Sequence, residues 1–300
     1  MNIFYEHFMV SGVETWLWLP PLTGFILSFF CSMAGISGAF LLMPFQISVL
    51  NYTGPSATAT NFVFNLFATP GGVWRYWREG RMFWSLAALI IVGTLPGIVL
   101  GFYLRLLYLA QAGRFKIFVG VVMLYLSWRL LSGLIPSAAQ GNPPTRPVLA
   151  LSDCSLSVLH VDYRRVTFSF QGQEHGFSPL AMLMLAFVVG IIGGTYGIGG
   201  GAIMVPFCIA VFRLPVHVLA GAALLGTFAT SVFGVLVYSV MPVPGGGYAS
   251  PDWWLGSLFG LGGVVGMYLG AMCQKHVSQL ALKGGLGIVL AGLGGVYLFG

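Results

Sequence analysis

Long apolar stretches recur along this chain with hardly a charge inside them, and that recurrence limits what it can fold into. They lie at 57–77, 83–108, 115–135, 178–196, 216–241, 253–273 and 279–299, with shorter ones at 22–34, 38–50 and 201–212. A bilayer core of roughly 30 Å demands about 18–20 such residues of a crossing helix. Only seven acidic and thirteen basic side chains stand against them, 7% of 300 residues, where soluble domains carry roughly 25%. The expected fold class is all-α, a polytopic helical membrane protein. A soluble enzyme and a nucleic-acid binder are excluded for want of a wetted surface. Cys31, Cys154, Cys208 and Cys273 stand far apart without a CxxC pair, so a disulfide scaffold is excluded too, and buried free thiols are expected.

Residues 1–21 lack the positive start of a signal peptide. Trp16 and Trp18 precede Pro20-Pro21, a pattern suited to the headgroup level, so an interfacial lead-in is expected. Residues 136–177 differ in kind. A Pro-rich stretch from Pro136 to Pro147 gives way to the β-branched runs 156–162 and 165–170, which read as a β-hairpin outside the membrane.

The flanking regions, 22–135 and 178–300, are an internal repeat. A shift of 162 positions pairs Gly35 with Gly197, Ile36 with Ile198, Gly38 with Gly200, Pro44 with Pro206, Gly72 with Gly234 and Tyr76 with Tyr238. Further on, Gly93, Gly97 and Gly101 align with Gly262, Gly266 and Gly270. Glycine every fourth residue lets helix backbones approach closely in lipid.

The segments 38–50 and 201–212, about 20 Å long at 1.5 Å per residue, are too short to cross alone. If each forms a broken helical hairpin with the segment before it, every repeat makes three further crossings and the second repeat is inverted. Arg75, Arg78, Arg81, Arg146, Arg164, Arg165, Arg213, Lys275 and Lys283 then share one side, with Arg105, Arg114 and Lys116 on the other. The excess of cations in cytoplasmic loops favours that arrangement. It puts both termini outside and the 136–177 insert in the cytoplasm.

The strongest local pattern is Gly197-Ile-Gly-Gly-Gly-Ala-Ile-Met-Val-Pro206, echoed by Gly35-Ile-Ser-Gly-Ala-Phe-Leu-Leu-Met-Pro44. Consecutive glycines break a helix, and broken backbone at membrane depth is tolerated only around a protein-lined cavity. Half-helices starting near Ala39 and Gly201 would aim free N–H groups and a positive dipole end at that cavity. Two such ends across a pseudo-two-fold axis make an anion site at the midplane; the competing account is tight packing alone. Replacing Gly200 with a bulky residue is expected to abolish transport and leave expression intact.

These motifs, with Tyr76-Trp-Arg-Glu-Gly80 after the third segment, resemble the TauE/SafE sulfite exporter family. The resemblance covers both repeats and omits the insert. It implies an inner (plasma) membrane carrier, usually an exporter, of sulfite, organosulfonates or related sulfur anions. Ser37 and Ala39 replace two motif glycines in the first repeat, a departure from symmetric backbone geometry.

The candidate substrate-binding residues are Gly35, Ser37, Gly38, Asn61, Asn65, Gly197, Gly199, Gly200, Gly201 and Thr227. Asn61 and Asn65 share a helix face, with Thr58 near it; Thr227, Thr230 and Ser231 stand in the second repeat. The amides either line the cavity or bond a neighbouring helix, and the hydroxyls can turn back on their own helices.

Glu6, Glu14, Glu79, Asp153, Asp162, Glu174 and Asp252 all map to termini, loops or the insert. A mid-membrane carboxylate relay therefore has no candidate, and the sequence holds no Walker motif to bind ATP. His217 and His276 map to cytoplasmic ends. Arg75, Arg78 and Arg81 serve topology before anion steering. Cys154, His160, Asp162 and His175 match no zinc spacing, so no metal and no cofactor is expected. The lipid bilayer and a small anion are the expected partners, and nucleic acid is not one. The expected function is secondary transport, outward, of small sulfur-containing anions such as sulfite or organosulfonates. An anion channel with the same half-helix filter, or a carrier of another carboxylate or inorganic anion, is the alternative. An intramembrane enzyme lacks paired acids, a HExxH helix or a Ser/His pair.

Overall fold

A computed structural model describes residues 5–33, 36–80, 82–132, 157–161, 166–170, 173–212, 214, 216–244, 246–273, 277 and 279–299. Its first element is a hairpin of β1 (Tyr5–Phe8) and β2 (Val13–Trp16), paired antiparallel. Gly12 supplies the left-handed residue of the turn at φ +67° and donates its N–H to the Phe8 carbonyl at 2.8 Å. The expected interfacial lead-in is thus built as a hairpin, which the tryptophan and proline pattern does not announce.

The first repeat holds α1 (Leu19–Met33), α2 (Ala39–Ser48), α3 (Pro55–Ala68), α4 (Pro70–Arg78), α5 (Trp84–Leu107) and α6 (Ala112–Ser132). The second holds α7 (Pro179–Tyr196), α8 (Gly200–Phe212), α9 (Val216–Val240), α10 (Trp253–Cys273) and α11 (Gln279–Phe299). Proline opens α3, α4 and α7, where its missing N–H has no helical partner to lose. Trp84–Leu107, Ala112–Ser132, Pro179–Tyr196, Val218–Val240 and Trp253–Gly270 are long and apolar enough to cross a bilayer. The exposed side chains on these helices include Val92, Leu100, Val121, Leu180, Leu236 and Leu261, apolar as a lipid-facing surface requires. The protein is an all-α polytopic membrane protein with small sheets at its periphery.

The apolar stretch 57–77, read above as one segment, is two helices. Pro70 has no N–H to donate and its ring crowds the preceding turn, so α3 ends at Ala68 and α4 begins anew. No residue of α4 is buried. It carries Trp74 and Trp77 exposed beside Arg75 and Arg78. The Arg75 Nε donates to Glu79 at 2.9 Å, and that bond holds the guanidinium pKa above its ordinary value.

The insert contributes an antiparallel sheet of β3 (Ser157–Val161), β4 (Val166–Phe170) and β5 (Gln173–Phe177), with β4 central. The sequence reading has two strands here. The third, QEHGF, lacks the β-branched alternation that marks the others. Phe168 and Phe177 are buried against Phe83, with ring centroids 5.0 and 6.5 Å away, so the sheet is anchored at the start of α5. The Pro-rich stretch, Cys154, Asp153 and Asp162 lie outside the described residues.

Helix packing crosses between the repeats. α1 lies along α10, α7 along α5, α3 against α9 and α6 against α11. The glycines explain the closeness. A Cβ on Gly262, Gly266 or Gly270 would stand 1.8, 2.2 or 2.3 Å from the carbonyl oxygen of Pro21, Phe25 or Phe29. On the other side, Gly93, Gly97 and Gly101 meet the carbonyls of Leu183, Phe187 and Ile191 at 2.9, 2.4 and 2.6 Å. Leu183, Phe187 and Ile191 are Pro21, Phe25 and Phe29 displaced by the same 162 positions. The repeat seen in the sequence is therefore repeated contact by contact, each first helix seated on the glycine ladder of the opposite repeat.

Candidate functional site

The first break lies between α1 and α2. The Ile36 N–H donates to the Cys31 carbonyl at 3.0 Å. Gly38 caps α2 in an ordinary right-handed conformation, and its absent side chain makes room for Ser28, whose Oγ would lie 2.8 Å from a Cβ there. The Ser37 hydroxyl accepts the Ala39 N–H at 3.3 Å and donates to Asn65 Oδ1 at 3.3 Å. Gly35 lies outside the described residues.

The second break, between α7 and α8, has a different backbone. Gly197 and Gly199 take left-handed φ of +86° and +74°. Ser37, which stands where Gly199 stands in the other repeat, does not, so the departure noted in the sequence is a real asymmetry. Gly200 donates its N–H to Thr230 Oγ1 at 3.2 Å. A Cβ on Gly201 would sit 1.9 Å from the Ala223 carbonyl, and one on Gly200 2.5 Å from Thr94 Cγ2. These two glycines thus carry the close packing of α8. The expectation that a bulky residue at Gly200 leaves expression intact is corrected accordingly: there is no room for it.

Five side-chain bonds tie the breaks together. Asn65 Nδ2 donates to the Gly197 carbonyl at 3.4 Å and Asn61 Nδ2 to the Ala39 carbonyl at 3.1 Å. Thr58 Oγ1 donates to the Thr195 carbonyl at 3.2 Å, Tyr196 to that of Phe40 at 2.8 Å and Tyr238 to that of Gly194 at 2.9 Å. The carbonyls at the end of α7 (Gly194 and Thr195) and at Gly197, and the Phe40 carbonyl whose helical donor is replaced by Pro44, are therefore met by side chains of other helices, as buried backbone requires. Ser37, Gly38, Asn61, Asn65 and Gly197 form one connected group. Gly199, Gly200 and Gly201 lie against Thr227 and Thr230 of α9, and these two threonines donate back to the Ala223 and Gly226 carbonyls of their own helix.

Several buried polar atoms around the breaks have no partner among the described residues. They are Asn61 Oδ1, Ser28 Oγ and Ser231 Oγ, and further along α2 both amide atoms of Gln46. Such atoms cost free energy unless something bonds them. Sequence reasoning passed over Ser28 and Gln46, polar residues set among apolar ones in α1 and α2.

Arg105, which falls in the apolar stretch 83–108 and enters the sequence reading only in the distribution of cations, is wholly buried at the end of α5. Its Nε donates to Thr58 Oγ1 at 3.2 Å, one terminal nitrogen to the Thr53 carbonyl at 2.6 Å and the other to the Leu109 carbonyl. The guanidinium lies 3.6 Å over the Phe115 ring. No carboxylate pairs with it among the described residues.

Asp252 is buried at the start of α10, which it caps by accepting the Leu255 N–H at 3.0 Å. Its other oxygen accepts the Ser11 N–H at 3.1 Å and the Ser11 hydroxyl at 2.7 Å, which fastens the N-terminal hairpin. Beside it Tyr52 bonds Ser56 and Thr60, and burial pushes its phenol up to about 12. Among the described residues no group of three or more His, Cys, Asp or Glu is placed to hold a metal.

The profile of the family described as Sulfite exporter TauE/SafE matches residues 21–297. The chain is similar to the probable membrane transporter protein YunE of Bacillus subtilis (strain 168), 24% identical over 218 residues, covering 70% of this chain and 73% of that one. It is similar to YjnA of the same organism, also a probable membrane transporter protein, at 22% over 263 residues, 87% of this chain and 92% of that one. A probable membrane transporter protein of Xylella fastidiosa (strain Temecula1 / ATCC 700964) is 26% identical over 273 residues, 85% and 84% of the two chains. No solved structure matches.

Proposed function

Because this chain belongs to the sulfite exporter TauE/SafE family, we propose that it is a secondary transporter moving small sulfur-containing anions, sulfite or an organosulfonate, outward across the plasma membrane. That it is a multi-pass membrane transporter is common ground with its relatives. The anion would bind between the two breaks, against N–H groups near Ser37, Gly38, Gly197, Gly199, Gly200 and Gly201, with Asn61, Asn65 and Thr227 nearby. The observation that carries this reading is Asn65, whose one amide touches both breaks, next to buried polar atoms that lack partners. The contact-by-contact exchange of the glycine ladders supports a pseudo-two-fold relation, and the distribution of cations supports an inverted one. Alternating access then follows from one repeat rocking against the other.

The test is flux in proteoliposomes loaded in parallel with sulfite, taurine, sulfoacetate, thiosulfate and acetate, with and without a pH gradient. Saturable movement of a sulfur anion is expected. Silence across the sulfur anions, or preference for acetate, overturns the substrate class.

A further inference from the structure

The break region has hydrogen-bond donors in plenty but little formal charge. Among the described residues, the one cation wholly buried next to it is Arg105, joined through Thr58 Oγ1 to the Thr195 carbonyl just before Gly197. Its three bonded acceptors are all uncharged, and its remaining face lies on Phe115. A guanidinium has five N–H groups, so two remain beyond the three bonds described. A buried charge with neutral partners alone is costly, because no opposite charge repays its lost hydration. Its partners span the chain from the Thr53 loop through α3 to α5. Tyr238 of α9 stands against the same helix turn, bonding Gly194 one residue before Thr195. At the matching position of the second repeat, four beyond Gly270 as Arg105 stands four beyond Gly101, the residue is the neutral Gln274.

We propose that Arg105, with Thr58 and Tyr238, is the charge-bearing part of the substrate site, and that it selects singly charged oxyanions over doubly charged ones. This rests on the reading of the protein as an anion transporter. One fixed positive charge neutralises one negative charge; a second would be buried without compensation, which hydrogen bonds from neutral groups offset poorly. Because a neutral Gln274 stands where the first repeat has Arg105, the bound anion sits off the pseudo-two-fold axis, towards the second break.

The cleanest probes are methanesulfonate and sulfate, tetrahedral sulfur oxyanions of one and two charges. In proteoliposomes the wild-type protein is expected to move methanesulfonate saturably and to move sulfate at least about 30-fold less well, the scale of a lost buried charge pairing. Arg105→Gln should lose methanesulfonate flux by a similar factor. Arg105→Lys keeps the charge without the fork, and should transport with a half-saturation raised about 3- to 10-fold. Should Arg105→Gln fail to fold, the wild-type protein answers alone: methanesulfonate should raise its melting temperature in detergent more than sulfate at equal ionic strength. Equal handling of the two anions, or a folded Arg105→Gln with wild-type half-saturation, overturns this inference and leaves the transporter reading standing. Absence of any anion flux in the wild-type protein overturns both.

Discussion

The side-chain amide of Asn65 donates to the Gly197 carbonyl across 3.4 Å while its oxygen accepts the Ser37 hydroxyl. One side chain on α3 thereby fixes the spacing of two backbone breaks that lie 162 positions apart in the sequence. Any movement that opens a path between the breaks must release or carry along this amide.

Asn65→Leu removes both bonds and leaves the Gly197 carbonyl unpaired. It is expected to lower stability by about 2–3 kcal/mol and to abolish saturable flux. Ser37→Ala, which loses the bond to Asn65 and the one from Ala39 N–H, should cost about 1 kcal/mol. Thermal unfolding of the detergent-solubilised variants measures both; an unshifted Asn65→Leu would show that the bridge carries no load.

Gly201→Ala should yield little folded protein. Its Cβ would be driven into the Ala223 carbonyl, a backbone atom that cannot step aside, and overpacking of this kind costs about 3 kcal/mol or more. Gly71→Ala, with nothing within 4 Å, is the control and should express as the parent does. Size-exclusion profiles of the two variants decide the matter.

The ladders predict equivalence. Gly97→Ala and Gly266→Ala meet the carbonyls of Phe187 and Phe25 at 2.4 and 2.2 Å, so each should lower the melting temperature by a comparable amount, about 1–3 kcal/mol in stability. They share no partner, and the double variant should be additive. A loss confined to one ladder would mean that the two helix pairs differ in rigidity.

Asp252→Ala unties the N-terminal hairpin and uncaps α10 in a single step. A lost N-cap alone costs about 1 kcal/mol, and the turn around Met9, already exposed, should become the first point of proteolytic cleavage. Protection unchanged from the parent would place the hold on the hairpin elsewhere.

The orientation proposed above is open to labelling. Met9→Cys should react with a membrane-impermeant thiol reagent in intact cells, since the hairpin belongs to the outer side in the inverted arrangement. Reaction only after permeabilisation reverses the orientation.

Much of this architecture is legible in the residues themselves. Apolar length marks the crossing helices, and matched glycines and prolines reveal the repeat. What escapes the sequence is mostly a question of partners. Gly262, Gly266 and Gly270 declare a close approach without saying that the carbonyls of Pro21, Phe25 and Phe29 lie opposite, because that contact joins remote parts of the chain. The split between α3 and α4 is hidden because Pro70 begins a new helix as readily as it kinks an old one. Arg105 reads only as one cation among those that set the sides, since sequence shows its place near a helix end but not the neutral carbonyls that surround it. The four-residue strands β1 and β2 are too short for alternation to distinguish them from irregular chain.

The seating of α1 on α10 has a consequence for how the protein is made. During synthesis α1 closes at Met33, while its glycine ladder opens only after Trp253. At roughly 5–20 residues per second, the new helix waits in the bilayer for on the order of ten seconds or more, its polar Thr23 and Ser28 face turned to lipid or to the insertion machinery. Neither repeat can finish folding before the other has left the ribosome. A chain cut between them would yield two halves, each carrying a ladder and a first helix that fit only the other half.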